Sequence, residues 1–64
     1  APINVNTADA ELMAELPGIG PSRADAIIEE REINGAFESA ADLERVSGIG
    51  PATVDRMRDQ VTFD

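Results

Sequence analysis

Two short glycine-rich stretches are the part of this sequence that could do chemistry. They read Leu-Pro-Gly-Ile-Gly-Pro over residues 16–21 and Val-Ser-Gly-Ile-Gly-Pro over residues 46–51. Glycine permits backbone conformations with positive φ and lets another molecule approach the main chain closely. A turn of this kind before a helix can direct unpaired backbone N–H groups, and the positive end of the helix dipole, at one point. The pattern therefore predicts an anion site that needs no side-chain charge.

The residue types that are missing exclude most other chemistry. The chain has no Cys, His, Trp or Tyr, which rules out disulfides, Cys/His zinc sites, thiol or imidazole catalysis and aromatic stacking platforms. Arg23 and Thr53 stand where a dinucleotide fingerprint would need its third glycine. The acidic residues lack the ladder of oxygen ligands that a calcium loop needs. We expect no enzymatic activity, no cofactor, no catalytic or metal-ligating residues and no small-molecule substrate.

The glycine stretches belong to a repeat with a spacing of thirty residues. Gly-Ile-Gly-Pro recurs without a gap, Met13 aligns with Leu43, and Ile27 aligns with Met57. Self-similarity at a fixed spacing indicates a duplicated supersecondary unit. A chain of 64 residues that is 42% apolar and 3% aromatic predicts one small helical domain with a core of Ile, Leu, Val, Met and Ala.

Four short helices are predicted to position the two turns. Asp9 and Ser39 are N-cap residue types ahead of the first helix of each unit, and Asp42 comes close to completing a capping box with Ser39. Pro21 and Pro51 suit the first position of the following helices, because the missing N–H of proline costs nothing there. A new helix should therefore begin at each of these prolines.

The helix that begins near Pro21 should bury one face and expose the other. Asn34-Gly35 ends it, either as a glycine C-cap or as a two-residue hairpin turn, and the lack of an alternating strand before it favours the C-cap. The fourth helix should run over about residues 51–60, with short extended pieces near both chain ends. The buried face of the second helix holds Ala24, Ile27, Ile28 and the stem of Arg31, with Asp25, Glu29 and Glu32 opposite.

Further stretches outside the turns carry a resemblance to a known family. They are Ile3-Asn4-Val5-Asn6-Thr7-Ala8, Arg31 with Asn34-Gly35 and Phe37, and Ser39 with Asp42-Leu43 and Val46. With the two glycine turns, these stretches cover nearly the whole chain, which resembles the helix-hairpin-helix DNA-binding domain in its tandem form. The resemblance is closest to the ComEA-like competence protein family.

The resemblance implies an all-α fold, a SAM-like (HhH)2 domain of four short helices in two motifs related by a pseudo-two-fold axis. One domain would span residues 1–64, with the first motif at about 9–34, a connector at 35–38 and the second motif at about 39–60. It also implies double-stranded DNA binding without sequence specificity, through backbone amides on phosphates in the minor groove, in DNA uptake. The implied phosphate-binding residues are Gly18, Gly20, Ser22, Arg23, Gly48, Gly50, Ala52, Thr53 and Arg56.

Other residues of the motifs have structural roles or a weaker link to function. Some members of the family hold a monovalent cation on hairpin carbonyls, which here would be those of Ala14, Leu16 and Ile19, or Glu44, Val46 and Ile49. Ile19 and Ile49 are predicted to fill the core rather than to contact a groove. Arg31 is expected to cover the apolar face and reach the connector, and Arg45 to be solvated.

The charge of the chain departs from the family pattern. Thirteen acids face five bases, all of them Arg, which gives a net charge of −8 and a pI near 4.2. Such a balance argues against an ordinary electrostatic nucleic-acid binder. Of the basic residues that relatives carry, Arg23, Arg56 and Arg58 remain, whereas Thr53 holds the second hairpin's equivalent of Arg23. The acidity and the complete lack of Lys predict a salt-adapted bacterium, with an acidic domain by drift as the alternative.

Two other functions stay open at this point. The chain could be a structural or protein-interaction module that has lost DNA binding, or the DNA-positioning fragment of a repair enzyme. We expect that the sequence as given neither spans a membrane nor carries its own signal peptide, because it has no long apolar run and no charged-then-apolar stretch. A first residue Ala1 in place of Met predicts removal of an upstream segment and a periplasmic or otherwise secreted protein, with a cytoplasmic fragment as the alternative. We expect a monomer without membrane insertion.

Overall fold

The two units of the repeat fold as two pairs of helical segments around one shared core. The structure, a computed structural model, describes residues 2–64. The all-α fold class is confirmed, with a very short pair of strands added to it. The elements are β1 Ile3–Asn4, α1 Ala10–Ala14, α2 Gly20–Asn34, a 3-10 helix Ala40–Arg45, α3 Pro51–Met57, a 3-10 turn Arg58–Gln60 and β2 Val61–Thr62.

The core preserves the register of the repeat. Met13 and Leu43 are both fully buried at equivalent positions, and so are Ile27 and Met57. Phe37 in the connector is 1% exposed and is the largest fully buried side chain. No charged or polar residue is buried within residues 2–64. The remaining core side chains are Val5, Ala8, Leu16, Ile19, Ala24, Val46, Ile49, Val54 and Val61.

The predicted N-cap hydrogen bond is present in the first unit and absent in the second. The Asp9 carboxylate accepts the N–H of Leu12 at 3.0 Å, as an N-cap does. Ser39 makes no such side-chain bond, and the Asp42 carboxylate instead accepts the N–H of Glu38 at 2.8 Å. Neither arm of the capping box forms, and this segment is a 3-10 helix in place of the predicted α-helix.

The second and fourth helices lie close to their predicted bounds. α2 begins at Gly20, one residue before the predicted proline, and ends at Asn34. Gly35 follows with φ +92°, and its N–H donates to the Arg31 carbonyl at 3.1 Å, which confirms the C-cap over a hairpin turn. The segment 51–60 is α-helical only as far as Met57 and continues as a 3-10 turn.

The ends of the described chain meet each other. β1 and β2 pair in parallel, with Ile3 opposite Val61, and the N–H of Val5 donates to the Thr62 carbonyl at 3.0 Å. Asn6 then joins this part of the chain to the connector, because its amide accepts the N–H of Phe37 at 2.8 Å and donates to the carbonyl of the same residue at 2.9 Å. The N-terminal segment is thereby fixed against β2 and the connector.

Two arginines hold segments together. Arg31 donates to the Val5 carbonyl at 2.7 Å, so its structural role is confirmed, with the N-terminal segment as partner in place of the connector. Arg45 is exposed to solvent, as predicted, and it also contacts the connector and α2. Its guanidinium lies 4.6 Å from the Phe37 ring centre and pairs with Glu30 at 3.1 Å. Phe37 offers Arg45 a flat aromatic face, and Glu30 offers it a carboxylate, next to each other.

Candidate functional site

The two Gly-Ile-Gly turns are built in the same way up to their central residue. We refer to residues 16–21 as hairpin one and to residues 46–51 as hairpin two. In each hairpin the isoleucine N–H donates to a carbonyl three residues earlier: Ile19 to Leu16, and Ile49 to Val46, both at 3.1 Å. Both isoleucines are buried, at 3% and 4% exposure, so their predicted role as core side chains is confirmed.

The backbone angles show where each turn depends on glycine. Gly18 and Gly48 have φ of +79° and +91°, a left-handed conformation that residues with a Cβ adopt only with strain. Gly20 also has a positive φ, +69°, whereas Gly50 has φ −115°. The two hairpins therefore differ at their second glycine, and α2 begins one residue earlier in the repeat than α3 does.

Each hairpin leaves backbone donors free at its surface. Seven backbone N–H groups in and just after the two hairpins have no hydrogen-bond acceptor within residues 2–64. None of the residues that carry these groups is buried. Such groups are open to water or to an anion. They belong to Gly18, Gly20 and Ser22 in the first motif and to Gly48, Gly50, Ala52 and Thr53 in the second.

The two hairpins are joined by contacts that cross between the motifs. Arg23, in α2, donates from Nε to the Gly48 carbonyl of hairpin two at 2.9 Å. At the equivalent place in the repeat, a Cβ on Gly18 would lie 3.3 Å from Cγ2 of Thr53, in α3. Each second helix of a motif thus packs on the other motif's turn, which brings the predicted site residues of both motifs to one region.

The five arginines differ in what they contact. Arg45 and Arg58 are paired with the carboxylates of Glu30 and Asp55, each at 3.1 Å. Arg31 is committed to a backbone carbonyl, as described above. Arg23 and Arg56, both on the second helices of their motifs, have no carboxylate partner within residues 2–64. Three arginines of the described residues thus lack an acidic partner, and two of these, Arg23 and Arg56, lie at the hairpins.

Few other features of the described residues suggest a site. No cluster of His, Cys, Asp or Glu there is arranged to hold a metal ion. The carbonyls of Leu16 and Val46 are two of the candidate ligands for a monovalent cation. Each of them already accepts the N–H of an isoleucine. The acidic residues Asp25, Glu29 and Glu32 are exposed to solvent on α2. Among the helices of residues 2–64, none has the length and apolar character needed to cross a membrane.

Comparison with known proteins identifies the same motif. The family model described as the helix-hairpin-helix motif matches residues 1–62. The ComE operon protein 1 of Bacillus subtilis is 42% identical over 60 residues, which cover 94% of this chain and 29% of that protein. An uncharacterized protein of Haemophilus influenzae is 45% identical over 62 residues, or 95% of this chain and 55% of that protein.

A third relative is much longer than this chain. The endonuclease/exonuclease/phosphatase family domain-containing protein 1 of Xenopus laevis is 37% identical over 59 residues, which cover 92% of this chain and 11% of that protein. The chain thus spans between about a tenth and about half of the length of these relatives.

Proposed function

Because the chain belongs to the helix-hairpin-helix family, we propose that it binds double-stranded DNA without sequence specificity. The proposal rests on one observation: the two Gly-Ile-Gly hairpins lie in one region, together with their free N–H groups and two arginines that have no carboxylate partner among residues 2–64. In this proposal, hairpin one and hairpin two place backbone amides on phosphates across the minor groove. No base contact is required, since phosphate contacts position a protein and carry no sequence information.

The net charge of −8 limits this binding at low salt but does not prevent it. Backbone N–H groups bind phosphate without a side-chain charge, because the peptide dipoles themselves point at the anion. At a salt concentration of 1 M the Debye length is about 3 Å, so repulsion between the acidic faces and DNA is largely screened. Direct amide–phosphate contacts survive better, and a salt-adapted bacterium would supply such conditions.

The setting that we propose is DNA uptake by such a bacterium. Support comes from the similarity to the ComE operon protein 1 over nearly all of this chain. The chain would act in the periplasm or in another secreted location and hold incoming DNA without catalysing a reaction. A monomer suffices for this role, because both hairpins come from one chain.

A second candidate function rests on the longer relatives. The similar segment makes up about a tenth of the endonuclease/exonuclease/phosphatase family domain-containing proteins. A unit of this size within a larger protein suits the positioning of that protein on DNA, which is the role of the repair-enzyme fragment considered above. Both candidate functions use the same contact between this domain and DNA. They differ in the rest of the protein to which the domain belongs.

An amide NMR titration of the labelled domain with a short duplex of random sequence tests the proposal. We expect shifts concentrated at hairpin one and hairpin two, with a smaller effect on the exposed acidic face of α2. The titration is repeated at low and near-molar salt, and persistence of the shifts at high salt would support the salt-adapted setting. No shift at either salt would rule out DNA binding and favour a protein-interaction module.

A further inference from the structure

Arg23 belongs to the first motif in sequence but to the second in space. It lies three residues after Gly20, next to hairpin one along the chain. Its Nε nevertheless donates to the Gly48 carbonyl at 2.9 Å, and a Cβ on Gly48 would lie 3.3 Å from the same Nε. The guanidinium therefore lies along the turn of hairpin two.

Arg56 shows the converse arrangement. It is on α3, which follows hairpin two, yet a Cβ on Gly18 would lie 3.4 Å from its Nη1 and 3.9 Å from its Cζ. The two arginines are not equivalent in the repeat, because Arg56 aligns with Ala26, and Arg23 aligns with Thr53. Each hairpin thus receives one cation, from different helix positions.

The remaining hydrogen-bonding capacity of these side chains faces outward. A guanidinium has five N–H donors, and Arg23 uses one of them on Gly48, within the described part of the chain. Arg23 and Arg56 are both exposed, and neither has a carboxylate partner among residues 2–64. Terminal N–H groups beside a phosphate-binding turn can contact that same phosphate through a charge-assisted bond.

We propose that the cation serving each hairpin comes from the other motif, with Arg56 acting at hairpin one and Arg23 acting at hairpin two. This inference rests on the proposed DNA-binding function and specifies which side chain completes each phosphate site. Neither motif alone then forms a complete site, because each needs the second helix of its partner. The assignment by sequence proximity, with Arg23 serving hairpin one, is the competing hypothesis.

The test compares the full domain with the variants Arg23→Gln and Arg56→Gln in amide NMR spectra at saturating duplex. We expect Arg56→Gln to reduce the DNA-induced shifts at Gly18 and Gly20 about threefold or more and to leave those of hairpin two nearly intact. Arg23→Gln should do the reverse. Arg58→Gln is the control, because it removes one positive charge from a residue that is already paired with Asp55.

The salt dependence of affinity separates a charge contact from a purely structural role. Each hairpin variant should reduce the slope of log K against log salt by about 0.9, the value for one phosphate contact. Arg23→Lys keeps the charge and should restore the slope, even though lysine lacks the planar Nε donor that Gly48 accepts from. Unchanged slopes in folded Arg→Gln variants would overturn the proposal.

The outcomes distinguish this inference from the function on which it rests. If the wild-type domain shows no DNA-induced shift at either hairpin, the proposed function fails, and the crossed assignment fails with it. If the wild-type domain responds but Arg23→Gln acts on hairpin one, DNA binding stands and the crossed assignment is wrong. Equal losses at both hairpins in each variant would also overturn it.

Discussion

Gly20 and Gly50 hold equivalent positions in the two hairpins but have different backbone conformations. Gly20 has φ +69° and Gly50 has φ −115°, and a Cβ added to either would meet no atom within 4 Å. We expect Gly20→Ala to cost about 1–2 kcal/mol of unfolding free energy, since a left-handed residue with a Cβ is strained. Gly50→Ala should cost less, because Gly50 has an ordinary extended backbone, and the poorer N-cap that Ala makes for α3 is partly offset through the unfolded state. Urea denaturation of both variants measures the difference.

The same pair of variants separates stability from binding. Gly50→Ala should keep the fold. A loss of DNA affinity in this variant would therefore be due to the added methyl group, which would keep a phosphate from approaching the turn. Equal destabilisation by the two substitutions would contradict the angles described here, since it would mean that Gly50 also needs a positive φ. Hairpin one therefore needs glycine at both positions for its backbone conformation, whereas hairpin two needs it only at Gly48.

At the scale of elements, Arg45 fastens the second motif to the first. Its guanidinium lies over Phe37, pairs with Glu30 of α2 and donates to the Gly35 carbonyl at 3.2 Å. Arg45→Ala should lower the unfolding free energy by about 1 kcal/mol, from the sum of a cation–π contact and a partly exposed ion pair. In a domain of this size that corresponds to about 4–8 °C in the thermal midpoint, which circular dichroism measures.

Arg58→Ala is the matched control for this prediction. The pair between Arg58 and Asp55 is a local contact along the chain, with side chains 59% and 72% exposed, and such pairs contribute little. We expect a change within about 0.5 kcal/mol. A larger loss from Arg58→Ala than from Arg45→Ala would show that the aromatic contact of Arg45 contributes little to the fold.

Arg45 also illustrates how much of the structure could be predicted from the sequence. Helices, caps and core follow from local patterns, because apolar spacing, Asp9 as a cap and the glycine turns act within a few residues. The partners of Arg45 lie eight or more residues away in the sequence, on other segments. No local sequence pattern predicts that these segments come close to Arg45. The position of Arg23 on hairpin two depends in the same way on how the motifs pack, which the thirty-residue repeat alone does not give.

At the scale of the whole molecule, the size of the domain decides which acidic residues repel bound DNA. The domain measures 25 × 23 × 21 Å and carries thirteen acids. The Debye length is about 10 Å at 0.1 M salt, so acids near the hairpins repel phosphates at that concentration, whereas acids on the far side of the domain are largely screened. Near-molar salt removes most of this repulsion. Binding should therefore depend on salt through two opposing effects, release of counterions from DNA and screening of the acidic surface.

This balance predicts the salt response of DNA affinity. Arg23 and Arg56 neutralise at most two phosphates, which limits the slope of log K against log salt to about 1.8 in magnitude, and screening of the acids should make it flatter. We expect weak binding at 0.1 M salt and little further loss towards 1 M. Fluorescence anisotropy with a labelled duplex measures the slope, and the double variant Arg23→Gln, Arg56→Gln should bring it close to zero. A slope of about 4 or more would require cationic contacts beyond these two arginines and would contradict a site built mainly from backbone amides.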